Sequence, residues 1–217
     1  MTSQQKDATS FDIIKRSHQL DGGTDNLKRY YRTWAVSYDH DVASENYSGP
    51  TALCDILEKV CGPPQPTTRV LDAGCGTGLV GLELVERGYT TIDGCDLSPE
   101  MVDVASKTGA YRWLQGDVDL NWDIDSSLVD SYDVVVACGV FTVGHVLPLA
   151  LNQLIKATRP GGLVVVSTRE SYLKQVSFVE HVQWLESESR AKLVERQDDE
   201  PYIAEEPATY WVLRRIT

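Results

Sequence analysis

The sequence predicts an α/β protein with a doubly wound, mostly parallel seven-stranded sheet and an N-terminal helical cap. Strand-like and helix-like runs alternate from residue 68 onward, a pattern typical of parallel strands joined by right-handed helical crossovers. A glycine-rich turn separates the first strand of this series from its first helix. Two strand-like runs then follow one another near the end of the chain, which indicates a hairpin added at the edge of the sheet.

The first 62 residues are predicted to form the helical cap, and residues 63–217 the sheet core, within one structural domain overall. In the cap, one helix is predicted over "DNLKRYYRTWAVSYDHDV". Another begins at Ser48 and Pro50, a combination typical of a helix start, and runs to about Cys61. The segment "GPPQP" then separates the cap from the first strand.

The core elements follow in a regular order. Five strands are predicted in "RVLDAG", "TTIDGCD", "YRWLQGD", "YDVVVACGV" and "LVVVSTRE". Helices between them are predicted in "GLVGLELVERG", "SPEMVDVASKTG" and "LPLALNQLIKATRPGG". After the fifth strand we expect one helix in "SYLKQVSFVEHVQWLES", then two strands, "AKLVERQ" and "ATYWVLRRIT", with an acidic, proline-containing connection.

Composition limits the possible partners. The 217 residues are 42% hydrophobic, enough for a substantial core, and their net charge of -12 repels nucleic-acid phosphates. The five cysteines show no metal-ligand spacing, and no apolar run approaches the roughly 18 residues of a membrane span. An odd cysteine count without a signal-like run predicts a cytoplasmic protein. We therefore expect no metal, nucleic acid or membrane partner, and a monomer or homodimer.

The stretch "VLDAGCGTG" is the strongest functional signal. Asp72 precedes Gly74, Gly76 and Gly78, and a helix follows at once, so a ligand can approach the main chain at the carboxyl end of a strand. A dinucleotide site needs G-x-G-x-x-G, but its third glycine position here is Leu79. The additional carboxylate favours a ligand with an ammonium or sulfonium charge over a pyrophosphate. A dinucleotide site and a purely structural turn are the alternatives.

This stretch resembles the first motif of class I S-adenosylmethionine-dependent methyltransferases, and the resemblance covers roughly residues 30–217. It implies a Rossmann-like methyltransferase fold that binds S-adenosyl-L-methionine and releases S-adenosyl-L-homocysteine. The cofactor-binding residues that it implies come from five segments: Tyr30, Trp34 and Tyr38; Asp72, Gly74, Cys75, Gly76, Gly78 and Leu79; Asp96, Leu97 and Met101; Gly116, Asp117 and Val118; Cys138 and Gly139.

The resemblance also assigns roles. Asp96, at the end of the second strand, is expected to accept hydrogen bonds from both ribose hydroxyls, with Leu97 and Met101 flanking the adenine. Asp117 is expected to accept from the adenine amino group, and Val118 to offer its N–H. Within the class, the sequence is similar to the small-molecule group known as Williams–Beuren syndrome region methyltransferase-like, through "YYRTWAVSYDHDV", "LDAGCGTGLVGLELVERG" and "RPGGLVVVSTRE".

Methyl transfer from a sulfonium requires alignment of acceptor and methyl carbon, exclusion of water and, if the acceptor holds a proton, its removal. His145 follows the fourth strand and is the candidate general base, although a histidine at this point can also simply begin the next helix. Tyr30, Trp34 and Tyr38 recur every fourth residue and share one face of the predicted helix, either as a lid or as a packing contact of the cap.

Acceptor binding is expected from residues that rim the predicted pocket: Tyr47, Phe141, Arg169 and Tyr172. Arg169 either holds an acidic acceptor or is paired or solvated. No "NPPY"-like tetrapeptide and no Pro-Cys pair follows the fourth strand, which argues against nucleobase or glutamine substrates. The expected function is methyl transfer to a small-molecule O, N or C nucleophile. The alternatives are a cyclase-like enzyme that uses the cofactor electrostatically, a nicotinamide oxidoreductase and a protein methyltransferase.

Overall fold

The computed structural model describes residues 9–17 and 23–217; residues 1–8 and 18–22 of the predicted cap lie outside this part. The described elements are, in chain order, α1 (Ser10–Ser17), α2 (Thr24–Trp34), α3 (Tyr38–Ser44), α4 (Gly49–Cys61), β1 (Arg69–Ala73), α5 (Leu79–Glu86), β2 (Thr91–Cys95), α6 (Pro99–Ala105), β3 (Trp113–Gln115), β4 (Tyr132–Phe141), α7 (Ala150–Ala157), β5 (Thr158–Arg169), α8 (Glu170–Leu173), α9 (Phe178–Ser187), β6 (Ala191–Ile203) and β7 (Glu206–Arg215).

The strands of the described residues form one seven-stranded sheet in the order β3-β2-β1-β4-β5-β7-β6. β3, β2, β1, β4 and β5 are parallel, whereas β7 runs antiparallel to both of its neighbours. The chain order reverses at β1, which has β2 on one side and β4 on the other. The predicted doubly wound, mostly parallel sheet is confirmed, and the predicted hairpin is β6–β7 at its edge.

Both faces of the sheet are covered because successive residues of its central strands point to opposite sides. Val70 and Val134 belong to a buried cluster with α4 and α5, while Leu71 and Val135 belong to another with α7 and α9. The helix α4 thus shares the core of the sheet, and the predicted division at residues 62 and 63 stays a prediction. Within the described residues, no helix is long and apolar enough to cross a membrane.

The prediction of one continuous cap helix over residues 25–42 is wrong, because α2 ends at Trp34 and α3 begins only at Tyr38. The carboxylate of the buried residue Asp41 accepts hydrogen bonds from Trp34 Nε1 at 2.9 Å and from Ser37 Oγ at 3.0 Å. These contacts join the two helices across the turn. Tyr30, Trp34 and Tyr38 therefore do not form a row along one continuous helix.

The region after β5 also differs from the prediction. The single expected helix is two helices, α8 and α9, separated at residues 174–177. The expected acidic connection between the last strands is mostly strand, because β6 extends to Ile203 and β7 begins at Glu206. This tight turn lies against the end of β5, where Arg169 forms ion pairs with Glu205 and Glu206 at 2.7 and 2.5 Å.

Tyr111 occupies space that two glycines leave open between the sheet and α5. An added Cβ would lie 2.4 Å from its side chain at Gly81 and 2.9 Å from it at Gly94. The Tyr111 hydroxyl donates a hydrogen bond to Asp72 Oδ2 at 2.6 Å and accepts one from the Gly81 N–H at 3.2 Å. Burial raises the pKa of Asp72 to about 7, against the lowering effect of the Tyr111 hydrogen bond. Tyr111 thus provides the stabilising partner of a buried carboxylate.

We expect Tyr111→Phe to lower the free energy of unfolding by about 2 kcal/mol at pH 8, because the ionised Asp72 carboxylate then loses a hydrogen bond in the core. Urea unfolding measures this difference. The matched control is Tyr89→Phe, a buried tyrosine whose hydroxyl makes no side-chain hydrogen bond within the described residues. Equal losses in the two variants would contradict the role given to Tyr111.

Candidate active site

A cavity opens at the carboxyl ends of β1, β2 and β4, beneath α2. This position, beside the reversal of strand order, is where open parallel sheets bind ligands. We call it the first cavity. Ten of the residues predicted to form the site line it: Tyr38, Gly74, Gly76, Asp96, Leu97, Met101, Val118, Cys138, Gly139 and His145.

Asp96 connects the glycine loop to the loop after β2. Its Oδ2 accepts a hydrogen bond from the Gly76 N–H at 2.9 Å, and its Oδ1 accepts one from the Ser98 N–H at 2.8 Å. Desolvation raises the pKa of Asp96, and these backbone N–H groups oppose the rise because they stabilise the carboxylate. A Cβ added at Gly76 would meet nothing within 4 Å, so the cavity is open at this glycine.

The residues after β3 form an apolar side of the first cavity. Val118 and Leu120 line it opposite Leu97 and Met101, and the Val118 N–H donates to the Asp96 carbonyl at 3.0 Å. Asp117, in contrast, is exposed and pairs with Lys28 Nζ at 2.6 Å. The structure therefore gives Val118 an apolar contact with the cavity and gives Asp117 a contact with the cap.

His145 lines the first cavity. Its Nδ1 is 3.0 Å from the Val143 carbonyl, and its Nε2 is 2.6 Å from the Tyr31 hydroxyl. A carbonyl can only accept, so Nδ1 carries the proton of the neutral ring and Nε2 presents a lone pair to Tyr31. Burial lowers the pKa of His145 to about 4, and the positive charge of Arg169 lowers it further, whereas the hydrogen bond to the Val143 carbonyl acts to raise it. The imidazole is therefore a neutral acceptor of protons at pH 7.

Tyr31 is a cavity-lining residue that the sequence analysis missed. It lines the first cavity, whereas its neighbour Tyr30 points away and donates its hydroxyl to the Ile13 carbonyl. The every-fourth-residue pattern selected Tyr30 because Tyr30 lies four residues before Trp34, whereas Tyr31 lies three residues before it. Two adjacent tyrosines on a helix lie on different faces, and the identity of the inward one depends on how α2 packs.

A smaller cavity adjoins the first one, and Tyr31, Tyr38 and Gly139 line both. We call it the second cavity. Of the other predicted residues, Trp34, Tyr47 and Arg169 line it. Its wall also contains Thr142, Tyr202 and Ile203, which the sequence analysis did not select.

Nine predicted site residues line neither cavity: Tyr30, Asp72, Cys75, Gly78, Leu79, Gly116, Asp117, Phe141 and Tyr172. The glycines among them shape the backbone: Gly78 has a φ of 99° at the start of α5. Asp72 is directed to Tyr111 instead of to a ligand. Phe141 and Tyr172 are buried, with their rings 6.2 Å apart, and the Tyr172 hydroxyl donates to the Val146 carbonyl at 3.0 Å.

The cap covers the first cavity through polar contacts along its rim. On α2, the Thr24 hydroxyl donates to Asp119 at 2.9 Å, and Arg32 pairs with Glu100 at 2.5 Å. On α3, Asp39 accepts a hydrogen bond from the Thr77 hydroxyl of the glycine loop at 2.5 Å. The side chains of α2 and α3 thus enclose the cavity from the side opposite the sheet.

Comparison with known proteins identifies the type of site. A family model described as a methyltransferase domain matches residues 38–199. The chain belongs to this methyltransferase family. It is 36% identical over 140 residues to Methyltransferase-like protein 27 of Homo sapiens, a match that covers 64% of this chain and 56% of that protein.

Two bacterial relatives are also similar to the methyltransferase. A malonyl-[acyl-carrier protein] O-methyltransferase of Serratia marcescens is 34% identical over 62% of this chain and 52% of its own length. A ubiquinone biosynthesis O-methyltransferase of Brucella melitensis is 34% identical over 58% of this chain and 54% of its own length. The chain spans about half the length of these curated relatives.

Solved structures support the fold. A TehB-like S-adenosylmethionine-dependent methyltransferase from Corynebacterium glutamicum has a TM-score of 0.62 and 22% identity, over 86% of this chain and 98% of that one. Magnesium protoporphyrin IX methyltransferase from Synechocystis, with S-adenosylhomocysteine bound, has a TM-score of 0.63 and 13% identity, over 88% of this chain and 99% of that one. The resemblance to class I methyltransferases is confirmed, and with it S-adenosylmethionine as the cofactor.

The residues of the first cavity fit this cofactor. The Asp96 carboxylate can accept the ribose hydroxyls, because each of its oxygens has lone pairs beyond the one given to a backbone N–H. Leu97, Met101 and Val118 supply apolar contacts for a flat base. The open space at Gly76 leaves the main chain accessible to the amino acid portion.

The pKa of His145 predicts a pH-dependent stability. In the unfolded chain His145 takes up a proton near pH 6.5, whereas in the folded protein it does so only near pH 4. The free energy of unfolding therefore decreases as the pH falls from about 6.5 to about 4. The shift corresponds to about 3 kcal/mol, which screening by water in the open cavity reduces to about 2 kcal/mol.

We therefore expect urea unfolding of wild type and His145→Gln at pH 7 and pH 4 to show a smaller acid-induced loss in the variant. The raised pKa of Asp72 has the opposite effect, because it increases the free energy of unfolding as the pH falls. Asp72 is present in both proteins, so its effect cancels in the comparison. Parallel pH profiles of the two proteins would contradict a neutral, enclosed imidazole.

Proposed function

We propose that the protein transfers a methyl group from S-adenosylmethionine to a small-molecule acceptor, with His145 as general base. The observation that carries the proposal is that Asp96, the glycine loop and His145, whose Nε2 carries a lone pair, line a single cavity. When bound, the cofactor supplies an electrophilic methyl group on a sulfonium. The second cavity supports a small acceptor, because it adjoins the first and is enclosed by the cap.

Tyr31 connects the proposed acceptor to the base. Its side chain lines both cavities, and its hydroxyl donates to His145 Nε2. An acceptor in the second cavity reaches His145 through this hydroxyl: the acceptor proton passes to the Tyr31 oxygen as the Tyr31 proton passes to Nε2. The Val143 carbonyl stabilises the imidazolium that results, through its hydrogen bond to Nδ1.

The names of the bacterial relatives support oxygen as the methylated atom, since both are O-methyltransferases. A hydroxyl acceptor also requires removal of a proton, which the His145–Tyr31 arrangement provides. We therefore propose O-methylation of a small molecule as the activity of this domain.

Asp96→Asn tests the cofactor site. Replacing one carboxylate oxygen with a donor removes an acceptor for a ribose hydroxyl, and we expect affinity for S-adenosylhomocysteine to fall by about 10- to 100-fold. Isothermal titration calorimetry measures it, with Asp103→Asn on the exposed side of α6 as the control with unchanged affinity. Wild-type affinity in Asp96→Asn would remove the basis of the proposed site.

Release of S-adenosylhomocysteine tests the transfer. Incubation of wild type with S-adenosylmethionine and a panel of small phenols, alcohols and amines should yield S-adenosylhomocysteine with at least one acceptor. His145→Gln and Tyr31→Phe should each lower that rate by about 100-fold, the usual size of a general-base effect, with cofactor affinity retained. Tyr30→Phe is the matched control on α2 and should keep the wild-type rate. Binding of the donor without turnover across the panel would instead favour the non-methylating alternative.

A further inference from the structure

The second cavity contains a buried hydroxyl without a partner. Thr142 is 5% exposed, and its Oγ1 has no hydrogen-bond partner among residues 9–17 and 23–217. The residue lies just beyond β4, where the Thr142 N–H donates to the Val140 carbonyl at 2.9 Å. A buried hydroxyl without a hydrogen bond lowers the free energy of unfolding, and here this hydroxyl belongs to a residue in the wall of a cavity. A hydrogen-bonding group of a ligand would satisfy it.

The charge in the wall of the second cavity is already compensated. Arg169 is 4% exposed and pairs with both Glu205 and Glu206, at 2.7 and 2.5 Å. An anionic ligand would have to compete with these two carboxylates for the guanidinium. A cationic ligand would be repelled by the Arg169 guanidinium, which lines this cavity, whereas the two glutamates do not line it. A neutral ligand avoids both costs.

Aromatic rings enclose the remaining sides. Trp34 and Tyr38 lie edge to face with centroids 4.6 Å apart, and Tyr47 and Tyr202 do so at 5.1 Å. Tyr31 completes the wall beside His145. Such edges and faces favour a flat ring as the ligand, because offset and edge-on ring pairs gain free energy beyond their buried area.

We propose, on the basis of the proposed methyl transfer, that the acceptor is a neutral aromatic alcohol whose hydroxyl contacts Tyr31 and whose carbonyl group accepts a hydrogen bond from Thr142. In the transfer, the acceptor oxygen bonds to the methyl carbon, and the methyl–sulfur bond breaks with its electron pair left on sulfur. The acceptor proton passes to the Tyr31 oxygen, and the original Tyr31 proton passes to His145 Nε2. Thr142 is thus a specificity-determining residue for the acceptor.

Three para-substituted phenols of similar size test the charge requirement: 4-hydroxybenzamide, 4-hydroxybenzoate and 4-hydroxybenzylamine. Calorimetry at pH 7.5, with the protein saturated in S-adenosylhomocysteine, gives their affinities. We expect the neutral amide to bind at least about 10-fold more tightly than either charged probe, which corresponds to one decade per 1.4 kcal/mol. The non-planar 4-hydroxycyclohexanecarboxamide should also bind more weakly than 4-hydroxybenzamide.

Thr142→Val tests the hydrogen bond. Affinity for 4-hydroxybenzamide should fall by about 5- to 20-fold, whereas affinity for unsubstituted phenol should not change. The free variant should melt at a higher temperature than wild type, because it lacks the unsatisfied hydroxyl. The matched control is Thr91→Val on β2, which lines neither cavity and should alter no affinity.

The outcomes separate this inference from the proposed function. A protein that does not bind S-adenosylhomocysteine would remove the proposed function itself. If S-adenosylhomocysteine binds normally, three results would overturn the neutral aromatic acceptor alone. These are tighter binding of a charged probe, no binding of any probe, and equal 4-hydroxybenzamide affinity in wild type and Thr142→Val.

Discussion

The site depends on the hydrogen bonds that join Asp96 to the glycine loop. The parallel pairing of β1 with β2 ends at Ala73 opposite Cys95, so the two following loops emerge side by side. Asp96 then bonds the Gly76 and Ser98 N–H groups and fixes both loops around one cavity. The Gly74 and Cys75 N–H groups also donate to the Cys95 carbonyl, at 2.7 and 3.0 Å, and strengthen this junction. A carboxylate whose position is set by the backbone on both sides is preorganised for a ligand.

The cap supplies the other half of the site, and it is held by a different kind of contact. The ion pair between Arg32 and Glu100 is largely exposed, and exposed pairs contribute little to stability. The apolar contacts are more substantial: Trp34 and Val42 are buried together with Leu79 at the start of α5. The position of Tyr31 over His145 therefore depends mainly on the packing of the aromatic residues of α2 and α3.

The sheet could be predicted from the sequence because its strands are short apolar runs covered on both faces, and the glycine loop because its spacing is specific. Asp96, Leu97 and Met101 were predicted through the resemblance to class I methyltransferases, which implies an acid and apolar residues after the second strand. The break between α2 and α3 was not, because it depends on a carboxylate, Asp41, that bonds a side chain seven residues earlier.

The same limit applies to the second cavity. Thr142 and Tyr202 meet only through the tertiary fold, one after β4 and the other on the final hairpin. Asp72 and Asp117 resemble ligand-binding acids in sequence, yet their carboxylates are directed to Tyr111 and Lys28. Local sequence gives no signal for such partners, because they lie 39 and 89 residues away.

The most direct test of the account is a crystal structure of the protein with S-adenosylhomocysteine. The account predicts the ribose hydroxyls within hydrogen-bonding distance of the Asp96 carboxylate and the sulfur at the end of the first cavity that carries Tyr31 and His145. An adenosyl group bound outside this cavity, or a sulfur directed away from Tyr31, would contradict it.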